Sequence, residues 1–326
     1  MTPRISVVVP THRRPQLLER CLSALLQQDL DPRACEIIVA DDGVQEATRQ
    51  IVARWMARQE DAAVPRLHYV PVTGRHGPAA ARNCGWRAAM GEIIAFTDDD
   101  CIPDRRWLSA GLAAFRGDVA AAWGRIVMPL SAAPTDYELD AAHLQAAEFA
   151  TANCFCRRNA LAACGGFDEN FTAAWREDSD LFFSLLERGL RVIHLPDAVV
   201  LHPVRPAPWG ISLRQQRKIQ FDALLYKKHA RLYRQKIRAA PRWDYYGISA
   251  ALLATLSAAA GGYSAIALGT GAVWGLLTGR FCLHRLRHTS RRWPHVAEMA
   301  VTSALIPPLA VFWRVVGAVR FRAALF

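Results

Sequence analysis

Short apolar, β-branched runs alternate with amphipathic stretches over the first third of the chain. Ile5 to Val9 precedes Gln16 to Gln28, Glu36 to Ala40 precedes Glu46 to Gln59, Leu67 to Val70 precedes Ala79 to Met90, and Ile93 to Phe96 precedes Trp107 to Phe115. This alternation of strand-like and helix-like periods predicts an α/β domain with a mostly parallel central sheet covered by helices. Ligands of such sheets gather beyond the carboxyl ends of the strands. The polar clusters lie at those ends: Pro10-Thr11-His12 after the first run, Asp41-Asp42-Gly43 after the second, and Thr97 to Asp100 after the fourth.

Past residue 120 the pattern loosens. Ala120 to Val127 is apolar, Glu138 to Ala150 reads as a helix, Thr151 to Cys156 as a strand, "CGGFDE" as a turn, and Glu177 to Arg188 as a helix. Two further strand-like runs, Val192 to Leu195 and Ala198 to Leu201, end at His202-Pro203. Prolines around Pro206-Ala207-Pro208 mark the expected boundary, giving a catalytic domain over 1–208 and a helical region over 209–326.

The second region is the greasier one. Tyr245 to Gly279 holds no Asp, Glu, Lys, Arg or His, although a bilayer span needs only about 20 apolar residues. Gly261-Gly262 divides the stretch into two shorter arms flanked by basic clusters on both sides. A single crossing would place one of those clusters against the positive-inside tendency, so a re-entrant or interfacial helical hairpin fits better than one tilted span. Met299 to Trp313, interrupted by Pro307-Pro308, reads as an interfacial amphipathic segment. A buried helical subdomain or an oligomer interface is the alternative for residues 245–313.

Charge separates the same two parts. Residues 1–210 carry 22 Lys and Arg against 26 Asp and Glu, whereas residues 211–326 carry 18 against 3. The basic residues flank apolar segments and are not interleaved with stacking aromatics in a polar fold, which argues for an anionic membrane surface and against nucleic acid. The eight cysteines show no CxxC pair and no His-Cys metal spacing. With no secretory signal ahead of them, they read as reduced, buried thiols in the cytosol.

"EIIAFTDDDCIPD", Glu92 to Asp104, drives a strand into three consecutive acids. On an extended strand Asp98 and Asp100 share one side and Asp99 takes the other. With no lysine nearby, a divalent metal sharing its remaining positions with phosphates explains why such carboxylates tolerate one another. A solvated acidic loop, or the cap of a following helix, is the plainer explanation.

Taken together, "ISVVVPTHRRPQLLERCLSALLQQ", "CEIIVADDG", "GPAAARNCGWRAAMGEIIAFTDDDCIPD", "NCFCRRNALAACGGFDENF" and "REDSDLFFSLLERGLRVIHLPDAVVLH" resemble the family 2 glycosyltransferases of GT-A fold, in the family's order, over about residues 4 to 203. The resemblance implies a Rossmann-like nucleotide-sugar domain and an inverting, metal-dependent enzyme of bacterial membrane-associated type. Pro10, Thr11 and Asp42, with Asp41 as the neighbouring alternative, would then bracket the base. Arg82 and Asn83 would meet base or diphosphate. In the family's DxD motif, matched by Asp98 and Asp100, the first acid faces the ribose and the last holds the metal, Asp99 substituting for either. His202 would join the metal, and an oxygen-plus-imidazole shell leans towards Mn2+ over Mg2+. Asp178 would be the base that takes the acceptor's proton, with Glu177 as runner-up, and Trp175 and Arg176 would touch the acceptor.

The expected reaction moves a sugar from a nucleoside-diphosphate-sugar to a hydroxyl of a lipid-linked or polysaccharide acceptor, at the cytoplasmic face of the plasma membrane. A single base opposite the leaving group implies inversion at the anomeric carbon. The alternatives are a sugar-phosphate nucleotidyltransferase, disfavoured because "PTHRRPQ" has neither glycine nor lysine, and a non-catalytic membrane-anchored module.

Overall fold

The computed structural model describes residues 2–57 and 64–325, so the last two residues expected in the second helix, 58 and 59, lie outside them. The chain forms two compact units, one of residues 1–129 and 143–204, the other of 130–142 and 205–326.

The first unit begins with β1 (Ile5–Thr11), α1 (Pro15–Leu25), β2 (Cys35–Asp41), α2 (Glu46–Met56), β3 (Arg66–Pro71), α3 (Pro78–Ala88) and β4 (Ile93–Phe96). There follow β5 (Ile102–Pro103), α4 (Trp107–Ala113) and β6 (Val119–Val127). After α5 (Asp136–Ala142), which belongs to the other unit, come β7 (Cys154–Arg157), α6 (Arg158–Ala163), α7 (Glu177–Glu187) and β8 (Arg191–Leu201).

The eight strands form one sheet in the order β3-β2-β1-β4-β7-β6-β8-β5. Strands β1, β2, β3 and β4 run parallel, β7 is antiparallel to β4 and β6, and β8 runs parallel to β6, so the sheet is mixed. β2 is buried along its whole length, as its unbroken apolar run requires of a strand covered on both faces. Helix α1 shows why the first amphipathic stretch is helical: Leu18, Cys21, Leu22 and Leu25 recur at helical spacing and are all buried, and Pro15 opens the first turn, where its missing N–H costs nothing.

Three differences from the sequence expectations have local causes. The helix expected over Glu138 to Ala150 ends at Ala142 and gives way to a 3₁₀ turn at His143–Ala146, where the chain passes between units. The strand expected from Thr151 starts only at Cys154, after a further 3₁₀ turn. The two runs around Pro196 form one strand, because β8 slips register against β6 between Leu195 and Val199, a bulge that takes up a proline unable to donate to the ladder.

The second unit contains α5, α8 (Ile211–Gln215), α9 (Gln220–Lys228), a single turn α10 (Ala230–Leu232) leading into a π-helical turn at Tyr233–Ile237, α11 (Trp243–Ala260), α12 (Ser264–Arg285) and α13 (Trp293–Phe321). Gly261-Gly262 forms the turn between α11 and α12, as expected. α12 runs beyond Gly279 through Arg285, giving 22 residues or about 33 Å at 1.5 Å per residue. α12 and α13 are both long and apolar enough to cross a membrane. α13 is not interrupted at Pro307-Pro308, as the sequence suggested: both prolines lie inside one continuous helix, with Ile306, Pro307 and Ala310 buried. Packing there outweighs the lost helical hydrogen bonds.

Candidate active site

The acids of Glu92 to Asp104 do not stay extended. β4 ends at Phe96 and Asp98 to Asp100 form a turn, closed by the Cys101 N–H donating to the Asp98 carbonyl at 3.1 Å. Strand alternation therefore does not govern the triplet, and each aspartate meets a different partner.

Asp98 Oδ1 accepts from Arg82 Nη2 at 2.7 Å. Asp99 accepts from Thr11 Oγ1 at 2.8 Å and from Arg14 Nη1 at 3.2 Å. Asp100 Oδ1 lies 3.5 Å from His202 Nε2. The repulsion expected within the triplet is thus offset largely by two arginines, where the sequence reading expected a metal to carry the compensation. Arg82 was singled out in the sequence for base or diphosphate and not for this pairing; Arg14, in the "THRRP" loop, was not singled out at all. An arginine pair one strand away from surplus acid was the available signal.

Arg82 is the hub. It lies on α3, only 3% exposed, and its other terminal nitrogen donates to Glu177 Oε1 at 3.0 Å. Burial alone would favour a neutral guanidinium, but Asp98 and Glu177 hold it firmly charged. The same bridge divides the acids electrically. Burial would raise Asp98, yet Arg82, helped by His202, holds it below the usual carboxylate range. Burial pushes Asp99 up to about 6 against the pull of Arg14. It also pushes Glu177 up to about 7 against the pull of Arg82, with Asp178 adding to the rise.

Glu177 and Asp178 open α7 after Arg176, whose φ of 77° is left-handed and rare for a side-chain-bearing residue. Such local strain concentrates at functional sites. Glu177 is 3% exposed, and its second oxygen is buried without a hydrogen-bond partner. Asp178 is half-buried; its Oδ1 accepts from the Ser179 N–H at 2.6 Å and the Ser179 hydroxyl at 3.2 Å. Burial, partly offset by that N–H, raises its carboxyl too. Beside them the Arg176 guanidinium stacks on Trp175, 4.6 Å from the ring centre, and Trp175 is 37% exposed.

Other expected residues take different places. Asp41 is fully buried and binds its own loop: it accepts from the N–H groups of Gly43 and Gln45 and from the Tyr69 hydroxyl, at 2.9 to 3.1 Å. Asp41 thus organises the loop that presents Asp42. Asp42 is poised at the rim, accepting from the Gly77 N–H at 3.0 Å and lying 2.8 Å from His76 Nδ1 and 3.6 Å from His12 Nδ1. Gly77 sits at φ 116°, and a Cβ there would come within 3.0 Å of the Thr172 carbonyl, so only glycine fits this turn. His12 was named in the sequence only as part of the Pro10-Thr11-His12 cluster, and His76 was not singled out.

Asn83 is engaged within the fold. Its amide nitrogen donates to the Phe167 carbonyl and Glu169, and its oxygen accepts from Trp86 Nε1 and the Phe167 N–H, all between 2.8 and 2.9 Å. With both donors and both lone pairs engaged, it pins the "CGGFDE" turn. Gly166 serves the same turn: at φ 77°, a Cβ would fall 2.5 Å from Asn83 Oδ1. Pro10 is half-buried near the end of β1 beside buried Thr11.

The residues present fit a divalent cation in part. Asp100, His202 and Cys101 offer a carboxylate, an imidazole and a thiol within 4.8 Å of one another, and His202 Nδ1 is buried without a hydrogen-bond partner. Burial, then Asp98 and Asp100, push the Cys101 thiol well above its ordinary range, which leaves carboxylate and imidazole as the ready donors. Asp98 is absent from this cluster, its Oδ1 being taken by Arg82.

Acids, arginines and a histidine converge beyond the strand ends, where ligands of α/β sheets bind. The family model described as "Glycosyl transferase family 2" matches residues 6–167, and "Glycosyl transferase family group 2" matches residues 133–316. The chain belongs to the family 2 glycosyltransferases and is an enzyme of that class. It is 25% identical to glycosyltransferase AglE of Haloferax volcanii over 67% of this chain and 72% of that protein. It is 30% identical to a pre-mycofactocin glycosyltransferase of Mycobacterium tuberculosis over 62% of this chain, and 27% identical to a validoxylamine A glucosyltransferase of Streptomyces hygroscopicus over 66%. Those matches span 43% and 52% of the relatives' own lengths. The fold is shared with a Pyrobaculum calidifontis mannosyltransferase solved with GDP-Man and Mn2+, at a TM-score of 0.57 and 24% identity, over 95% of this chain and 87% of that one. The GT-A fold expected from the sequence is the fold found, and the nucleotidyltransferase and non-catalytic alternatives fall away.

Proposed function

We propose that the protein transfers a sugar, with inversion, from a nucleoside-diphosphate-sugar to a hydroxyl of a lipid-linked or growing glycan acceptor, working at the cytoplasmic face of the membrane. The observation that carries this reading is the Arg82 bridge, which joins Asp98 in the acidic turn to Glu177 at the head of α7. It ties the side expected to hold the donor to the side expected to take the acceptor's proton. Asp42, between His12 and His76, is the base-facing acid, and Thr11 with Arg14 fixes Asp99 beside the donor.

Asp178 is the general base. One of its oxygens is oriented by Ser179, and Oδ2 makes no hydrogen bond among the described residues, so it can take a proton. Its raised carboxyl moves towards the neutral range that suits the task. Glu177, buried and paired with Arg82, holds that guanidinium in place. Trp175 and Arg176 offer the acceptor a stacking face. Asp100 and His202 would hold a divalent cation, for which the fold neighbour solved with Mn2+ is the precedent. Such a cation, Mn2+ or Mg2+, supplies positive charge to the departing diphosphate.

The membrane reading rests on α12 and α13, and on relatives that include a glucosyltransferase named for an undecaprenyl-diphosphate-linked glycan. Asp178→Asn tests the base. Transfer should fall by roughly 10²- to 10⁴-fold while affinity for nucleoside diphosphate, read by thermal shift, stays constant. An equal loss of nucleotide binding would overturn the assignment.

A further inference from the structure

Arg238 stands where the π-helical turn Tyr233–Ile237 ends and α11 is about to begin. It is half-buried, its backbone N–H donates to the Tyr233 carbonyl at 2.9 Å, and its guanidinium has no hydrogen-bond or carboxylate partner among the described residues. Its surroundings are cationic. Arg314 of α13 donates to the hydroxyl of the same Tyr233 at 3.1 Å, with Asp222 at 3.9 Å, and Arg242, the residue before α11, lies with its guanidinium 3.7 Å from the Tyr245 ring centre. Arg242 is matched by Asp244, and Asp222 lies beside Arg314, so the charge left over is that of Arg238. Burial first, then Arg242 and last Arg314, lower its pKa against the opposing pulls of Tyr233 and Asp222. A half-buried arginine kept in that position is poorly explained by folding, because Tyr233 and Asp222 offset its desolvation only in part.

Aromatic side chains mark the same level. Trp243, Tyr245 and Tyr246 open α11, Trp243 is 69% exposed, and the uncharged stretch begins at Tyr245. Tryptophan and tyrosine at the edge of an apolar helix sit at the depth of lipid head groups, where phosphate is the prevalent anion.

We propose that Arg238 and Arg242, with the buried Arg314 adding positive charge, form a phosphate-binding site at the membrane–water interface, filled by the phosphate of a lipid. The inference rests on the membrane association proposed above and deepens it. The phosphate comes either from a polyprenyl phosphate of the acceptor class or from an ordinary anionic phospholipid, and guanidinium recognition is common to both.

Co-sedimentation of the full chain with three kinds of vesicle tests this: phosphatidylcholine alone, the same with phosphatidylglycerol, and the same with undecaprenyl phosphate. Arg238→Gln is compared with Arg287→Gln, an exposed arginine of the same unit. Arg238→Gln should leave the melting temperature unchanged or slightly higher, since the burial and repulsion it relieves outweigh the pulls of Tyr233 and Asp222. It should weaken binding to phosphate-bearing vesicles by about 5-fold more than Arg287→Gln, the effect of one well-placed cation, without changing binding to phosphatidylcholine. A loss confined to undecaprenyl phosphate assigns the site to the acceptor, and a loss with phosphatidylglycerol assigns it to bulk lipid. Equal losses for the two variants overturn the site while leaving membrane association intact, whereas a wild type that sediments with no vesicle overturns both.

Discussion

Leu22 on α1 and Leu276 on α12 are the same residue in helices of ordinary length, yet Leu22 is 0% exposed and Leu276 is 74% exposed. The contrast extends to their units. The first buries its apolar helix faces against an eight-stranded sheet and pairs its interior charges one by one: Asp98 with Arg82, Asp99 with Arg14, Ser6 and His68 around Glu36. In the second, Leu253, Leu256, Leu268, Leu276 and Leu283 are each more than half exposed, and only 6% of the apolar window of α12 is buried. One unit is complete in water, while the other displays a surface that water penalises. Where α13 is 39% buried over its own window, the helical unit also has an interior, so its exposed face is not a failure to pack.

Removing Arg82 should expose this difference most strongly. Arg82→Met leaves the buried Glu177 and the half-buried Asp98 without their shared cation, a loss of about 3–5 kcal/mol in the unfolding of the first unit. Transfer should fall below detection in the fraction that stays folded. Arg82→Lys should recover little, because one ammonium cannot reach both carboxylates as a planar guanidinium does. Denaturant titration with activity on the same samples checks both statements, and a lysine variant of near-normal activity would break the bridge argument.

Glu36 comes next. Burial would raise its carboxyl, but His68, the Ser6 hydroxyl and the Met90 N–H bring it from the usual 4.5 down to about 2. A depressed acid stabilises the fold at pH values above its unfolded value, and that stabilisation is lost as pH falls from about 4.5 through about 2. The difference corresponds to about 3 kcal/mol at neutral pH. Glu36→Gln should lower stability at pH 7 by up to that amount and lose this part of the acid dependence, measured as melting temperature against pH.

Much of this was legible in the chain. Runs such as Ile5 to Val9 and Ile93 to Phe96 become β1 and β4 because their apolar continuity admits few other homes, and the recurrence of Leu18, Cys21, Leu22 and Leu25 fixes the buried face of α1. The acids at Asp98 to Asp100 and Glu177-Asp178 stood out as unusual and do converge. What each one touches was not legible. Asn83 and Asp41 looked like ligand residues because polar side chains near a rim suggest one, but hydrogen-bond saturation is a three-dimensional property. The pairing of Arg14 with Asp99 joins residues 85 apart, and no local pattern encodes it. The ends of helices were the least legible feature. Pro307-Pro308 reads as a break by local rules, and only the buried side of α13 shows why the helix continues.

Within the second unit, Asp136 and Arg285 reproduce the pairing habit of the first. The guanidinium donates to both Asp136 oxygens, at 2.6 and 3.3 Å, and to the hydroxyls of Thr302 and Ser303. This fastens α5 to α12 and α13. Asp136→Asn should cost about 2 kcal/mol, less than Arg82→Met, because two hydroxyls still hold Arg285. Asp136→Arg combined with Arg285→Asp should recover part of the loss. A double-mutant cycle with no coupling would mean that the pair contributes nothing to holding α5.

The smallest effect on folding is the most discriminating. Leu22→Ala removes a fully buried side chain and should cost about 2–5 kcal/mol. Leu276→Ser replaces a leucine that already faces outward, so stability in detergent should change by no more than about 0.5 kcal/mol. Its effect appears in partition instead. A leucine buried in lipid is worth roughly 1.5–3 kcal/mol, and the serine variant should release more protein from vesicles while its transfer to a water-soluble acceptor analogue stays normal. If Leu276→Ser destabilised the fold as Leu22→Ala does, the outward face of α12 would have to be a protein interface, and the contrast between the two units would disappear.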